Sequence, residues 1–197
     1  MGRFVLKDSY FNKAKQEGYR ARSAYKLMEA QKKFRLLKKG DLVLDLGCAP
    51  GSFLQVIAEI VGPGGLVVGI DLLPTKPLSR GHVKIIQGDI RDPVVGELLS
   101  QHAPEGFTVV TSDIAPNLSG IREVDDHNIE EMFEAVRALI GARLRKGGNV
   151  LLKSFFSDRF KSFQSEFKAM FKAVTIFKPP ASRSASSEVY LVCTGKR

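Results

Sequence analysis

Residues 42–53, LVLDLGCAPGSF, decide how the rest of the chain is read. An apolar run, LVLDL, ends in the turn Gly47-Cys48-Ala49-Pro50-Gly51, and a run with helical spacing, SFLQVIAEIV, begins at once. A buried strand, a glycine turn and a helix in that order open a βα unit of a parallel sheet. The turn itself carries almost no side-chain chemistry. Either it is a tight connection and nothing more, or it leaves its backbone open to a ligand.

The same alternation extends outward from it. Residues 66–70 (LVVGI), 83–86 (VKII), 107–112 (FTVVTS) and 148–153 (GNVLLK) read as buried strands. Between them, 93–103 (PVVGELLSQHA) and 128–144 (NIEEMFEAVRALIGARL) have the apolar spacing of helices. DDHN (125–128) reads as the start of the second helix, and RKGGN (145–149) as the turn that ends it. A helix near 157–170 follows, then two β-rich runs, AVTIFK at 173–178 and EVYLVCTG at 188–195, joined by the loop KPPASRSASS at 178–187. No crossover helix separates those two runs, so they are expected to pair antiparallel at an edge. The prediction is one α/β domain over residues 1–197, with a mainly parallel sheet of seven strands covered on both faces.

Composition agrees and narrows the class. A chain of 197 residues, 44% hydrophobic, can bury a substantial core. Its two cysteines, Cys48 and Cys193, form neither a metal-spaced pair nor a disulfide framework, and His82, His102 and His127 have no ligand spacing. No metal is expected. The first residues lack a signal-peptide stretch, and no apolar run reaches the roughly 20 residues of a membrane span, so a cytoplasmic protein is expected. Charge is unevenly placed. Residues 1–40 hold 12 Lys/Arg against 3 Asp/Glu, a surplus of 9 that equals the net charge of the whole chain. Phe4, Tyr10, Phe11, Tyr19, Tyr25 and Phe34 lie among these cations as candidate stacking groups, which points to a nucleic acid partner for this segment.

In open α/β sheets, ligands sit beyond the carboxyl ends of the strands. Four carboxylates fall there: Asp45, Asp71, Asp89 and Asp113. A nicotinamide dinucleotide would need G-x-G-x-x-G, and the turn lacks the middle glycine that lets a pyrophosphate approach. Asp71, 20 residues after Gly51, suits ribose hydroxyls, and Asp89 could accept from an adenine amino group. A nucleoside without pyrophosphate fits better, and S-adenosylmethionine fits best.

Several motifs now carry a resemblance. KAKQEGYRARSAYKL (13–27), DLGCAPGSF (45–53), DLLP (71–74), QGDIRD (87–92), SDIAPNLSG (112–120) and ASSEVYLVCTGKR (185–197) together resemble the FtsJ-type ribosomal RNA 2′-O-ribose methyltransferases, through nearly the whole chain. The resemblance implies a Rossmann-like methyltransferase sheet with an antiparallel last strand. It implies a catalytic set at Lys26, Asp113, Lys153 and Glu188, and cofactor contacts at Gly47, Gly51, Phe53, Asp71, Asp89 and Asp113. It also implies a monomer acting on large-subunit ribosomal RNA, at a uridine. A transfer RNA or messenger RNA cap is the runner-up target, and a retired ribosome-assembly factor the alternative of another class. Phe53 stands where bacterial members commonly have Trp and is expected to offer an apolar wall. Ser52 replaces Gly and could cap the helix, and Cys48, often Ala, is expected to be a small buried filler.

Overall fold

A computed structural model describes residues 9–115, 122–155, 160–182 and 186–197, and of Arg122, Glu123, Asp125 and Asp126 the backbone alone. Phe4, the early cations and parts of SDIAPNLSG and of the 178–187 loop fall outside these residues. Seven strands form one sheet in the order β3-β2-β1-β4-β5-β7-β6. They are β1 Leu42–Leu46, β2 Leu66–Asp71, β3 Val83–Gln87, β4 Phe107–Ser112, β5 Leu144–Phe155, β6 Phe171–Phe177 and β7 Glu188–Lys196. β1 to β5 pair in parallel, and β7 is antiparallel to both β5 and β6. The last strand is therefore antiparallel as expected, but it is inserted beside β5 and leaves β6 at the edge.

Side chains alternate across the sheet and so build two cores. Leu44, Val68, Val110 and Leu152 face α4 (Pro93–His102), α5 (Arg122–Arg143) and α6 (Phe160–Met170). Val43, Val67, Val109 and Leu151 face α3 (Ser52–Val61) and α2 (Ala24–Phe34). Two parts of the reading are corrected. Helix α5 begins at Arg122, so DDHN lies inside it rather than at its start. RKGGN is not a separate turn: β5 pairs at Leu144 opposite Phe107, then at Asn149 opposite Val109, and the residues between form a bulge within the strand. The helix expected near 157–170 is described from Phe160.

From Ser9 onward the basic N-terminal segment is folded, which its composition did not foretell. It forms α1 (Ser9–Gln16) and α2, whose Ala24, Leu27 and Ala30 are fully buried against α3. Its aromatics are mostly glue. Tyr10, Tyr19 and Tyr25 pack ring to ring with hydroxyls donated to Glu29, Glu59 and Glu17, and Phe34 meets Phe177 edge-on. Among the described stacking candidates Phe11 is the most exposed, at 59%.

Candidate active site

The glycine turn answers first to the protein's own packing. Gly47 has φ +71°, and a Cβ there would lie 2.6 Å from Ile114 Cγ1 and 3.0 Å from its backbone. The segment after β4, anchored by the Asp113 N–H on the Leu46 carbonyl, thus passes directly over the turn. Gly51 has φ +106°, and a Cβ would lie 2.4 Å from the Arg20 guanidinium. Both residues need the positive φ that glycine tolerates and the space of an absent side chain. Cys48 packs on Gly69, and burial together with Asp45 pushes its thiol up to about 12, which makes it the inert filler expected. Ser52 does not cap α3; it is buried and shares a hydrogen bond of 2.7 Å with Ser23 at the start of α2.

Beyond the ends of β1, β2 and β4 lies a cleft of about 510 Å³. Gly47, Ala49, Asp71, Asp89 and Asp113 line it, with Leu72, Leu73 and Met132 as apolar wall. Asp71 holds the turn to the loop after β2: Oδ2 accepts from the Ala49 N–H and Oδ1 from the Leu73 N–H, each at 2.8 Å. Asp89 is gripped by Arg91, whose side-chain and backbone N–H groups hold its carboxyl below the usual range. Phe53 and Gly51 are not in the lining. Phe53, 3% exposed, sits in the core between α3 and α2, so its ring is no wall of this cleft. Four carboxylates line the cleft, Glu131 being the fourth, and Arg91 is committed to Asp89. Carboxylates beside apolar surface suit a ligand that is cationic at one end and aromatic at the other, and the volume suits a nucleoside-sized molecule. S-adenosylmethionine has both properties.

Asp45, read as one of four strand-end ligands, is placed differently. It lies within β1 opposite Gly69 and Thr111, fully enclosed, with Oδ1 accepting from Thr111 Oγ1 at 2.6 Å and Oδ2 without a partner among the described residues. Burial pushes its carboxyl up to about 8, against the pull of the Thr111 hydrogen bond, with Asp113 and Asp71 adding to the rise. The folded chain therefore keeps a proton that the unfolded chain releases above about pH 4. Stability from this residue should fall as pH rises from about 4 to about 8 and then level off. Asp45→Asn, an isostere of the protonated acid, should lack that fall, so its urea midpoint should gain on the parent's between pH 5 and 8. A constant difference across that range would place the ionised form in the native protein.

A second cluster adjoins the cleft through Asp113. Cross-strand register sets Lys153 opposite Tyr190, and Glu188 shares Tyr190's face two residues along β7. Lys153 is buried; Nζ donates to the Asp113 carbonyl and stands 3.2 Å from its Oδ1. Tyr190 donates to the same Oδ1. Lys26, reaching down from α2, is 2.6 and 2.8 Å from the two Glu188 oxygens, and Ser182 donates to Oε1 at 2.9 Å. Burial would raise the Glu188 carboxyl, but the hydrogen bonds of Lys26 and Ser182 and the charge of Lys153 outweigh it and hold it low. The four residues drawn from the resemblance are thus brought together as two ion pairs, joined by the Tyr190 ring, whose centroid is 5.9 Å from Lys26 Nζ. Sequence reasoning missed Tyr190 and Ser182. The i, i+2 spacing from Glu188 could have found the first; nothing local marks the second.

Sheet order and the cleft beyond the parallel strand ends define a Rossmann-like methyltransferase fold. A solved fibrillarin from Aeropyrum pernix shares that fold at a TM-score of 0.62 and 20% identity, over 87% of this chain and 73% of its own. A solved structure from Plasmodium falciparum described as a ribosomal RNA methyltransferase is more similar, with a TM-score of 0.79 and 30% identity over 90% of this chain and 98% of its own. Residues 19–196 match the FtsJ-like methyltransferases. Proteins called ribosomal RNA large subunit methyltransferase E are 43% identical in both Syntrophobacter fumaroxidans (96% of this chain, 95% of that one) and Myxococcus xanthus (97% and 90%). The chain belongs to the FtsJ-like methyltransferase family, and its methyl donor is S-adenosylmethionine.

Proposed function

We propose that this protein methylates a ribose 2′-hydroxyl in large-subunit ribosomal RNA, at a uridine. The observation that carries the reading is the buried Lys153–Asp113 pair, which adjoins the cleft through Asp113, with Lys26–Glu188 beside it. When bound, S-adenosylmethionine supplies a methyl already activated on sulfonium. The protein's task is to hold a poor nucleophile in line and manage its proton. Asp113 takes two positions around Lys153 Nζ, leaving one for the 2′-oxygen. Lys26 and Glu188 fix each other where the ribose must enter. Asp71 is assigned to the cofactor's ribose, Asp89 to its adenine, and the Gly47–Gly51 turn to its methionine end. Both clusters come from one chain, which suits a monomer, and no described helix is long and apolar enough to cross a membrane. An intact catalytic set disfavours a retired assembly factor. Labelled methyl transfer to large-subunit RNA, followed by nuclease mapping, tests the reading; product on a base rather than on a 2′-oxygen would overturn it.

The RNA grip is assigned to exposed cations of the first 40 residues. Arg20, Arg22 and Lys26 are already bound to protein oxygens. Lys13, Lys15, Lys32, Lys33, Lys38 and Lys39 face solvent. Replacing Lys32, Lys33, Lys38 and Lys39 by Gln should weaken RNA binding and flatten its salt dependence, by up to about 0.9 in log–log slope for each duplex phosphate no longer neutralised. Cofactor affinity should not change. An unaltered slope would make these cations ordinary surface.

A further inference from the structure

Arg20 stands in the segment read as RNA-binding, yet its guanidinium is turned inward onto the cofactor turn. Nη1 donates to the Pro50 carbonyl at 3.0 Å and to the Lys76 carbonyl at 2.5 Å, and Nη2 donates to the Pro77 carbonyl at 2.8 Å. Its own N–H donates to Gln55 Oε1 of α3 at 2.8 Å, and Gln55 Nε2 returns a bond to the Gly18 carbonyl at 2.9 Å. The backbone is thus pinned before the side chain reaches out. Gly51 gives up the space that a side chain would occupy to this guanidinium.

We propose that Arg20 is a positioning residue for cofactor binding, locking the turn at Pro50–Gly51 to the loop after β2. These are the two backbone segments that Asp71 also joins, from the cleft side, through the Ala49 and Leu73 N–H groups. The turn is therefore held from both sides: by a carboxylate on N–H groups, and by a guanidinium on carbonyls. A planar fork with several fixed donors can span three carbonyls from two segments; a lysine ammonium is a point charge with no such fork. The basic N-terminal segment then serves the methyl donor through its α1–α2 connection and RNA through its exposed lysines. The inference rests on the cleft being the cofactor site.

The test compares parent, Arg20→Ala and Arg20→Lys by calorimetry with S-adenosylmethionine, by RNA binding across a salt series, and by amide exchange. In the parent, cofactor should protect the amides of Gly47, Cys48, Ala49 and Gly51. Failure there would overturn the cofactor site and Arg20's role with it, whereas protection there with a parent-like Arg20→Ala would overturn Arg20's role alone. Arg20→Ala should bind cofactor about tenfold or more weakly, the scale of lost charged hydrogen bonds. It should raise KM for the cofactor with kcat nearly kept, and speed exchange at 49–51 and 74–80. Arg20→Lys should recover only part of the affinity. RNA affinity and salt slope should match the parent's. Parent-like cofactor affinity in Arg20→Ala, or a reduced RNA salt slope with normal cofactor binding, would return Arg20 to the phosphate-binding cations.

Discussion

Lys153→Ala should cut methyl transfer by roughly 100- to 10,000-fold under saturating substrates, the contribution typical of positioned proton transfer. Cofactor and RNA should bind nearly as they do to the parent. Lys153 is assigned to the hydroxyl, whose interaction changes mainly in the transition state, so its loss falls on rate rather than on ground-state binding. The geometry supports that separation. Lys153 is buried against Asp113 and is not among the residues lining the cleft, whereas Asp113 is in both places. Substituting Asp113 should therefore impair binding and rate together. Lys153→Arg should not rescue, because a guanidinium does not deprotonate near neutral pH and its fork cannot reproduce a single Nζ held by one residue's carbonyl and carboxylate. Single-turnover transfer of labelled methyl is the measurement. A Lys153→Ala enzyme of near-parent rate would overturn the assignment.

Asp71→Ala should weaken S-adenosylmethionine by about 1.5–3 kcal/mol, roughly 10- to 150-fold, the range for hydrogen bonds to a charged group. Each Asp71 oxygen already accepts one backbone N–H, and each has a further acceptor position for a ribose hydroxyl. The substitution removes the ribose contact and also the link between the turn and the loop after β2. Asp71→Asn is informative because it keeps the shape. Its amide nitrogen would face the N–H of Ala49 or Leu73, donor against donor, so it should bind little better than Ala. RNA affinity should be unaffected. Unchanged cofactor affinity in a folded Asp71→Ala protein would remove Asp71 from the site.

The sheet and its cleft were legible because their signals are local and periodic. Buried strands such as LVVGI, helices with 3.6-residue spacing and carboxylates at strand ends all repeat over a few residues, and a parallel sheet sends those ends to one rim. The candidate catalytic set was not legible in that way. Lys26 and Glu188 lie far apart in the chain and meet only because β7 inserts beside β5 while α2 packs over it. Resemblance supplied those residues, and composition could not.

Phe53 and Arg20 mark where sequence reading stops. Phe53 follows the turn, yet the helical phase of α3 and the burial of α2 draw its ring into the core. Arg20 looks like a phosphate ligand in a run of cations, yet three carbonyls from two loops claim it. The tyrosines of the same segment went likewise, from stacking surface to packing. By itself the sequence determined the α/β alternation, the position of the turn and the surplus of positive charge at the start. Those follow from hydrophobic period, glycine chemistry and charge counts, which need no partner. Which cations remain free, which aromatics are buried and which carboxylate keeps its proton were decided by tertiary structure alone. Each depends on groups distant in the chain that compete for the same side chain, and burial and hydrogen-bond geometry settle that competition only once the chain has folded.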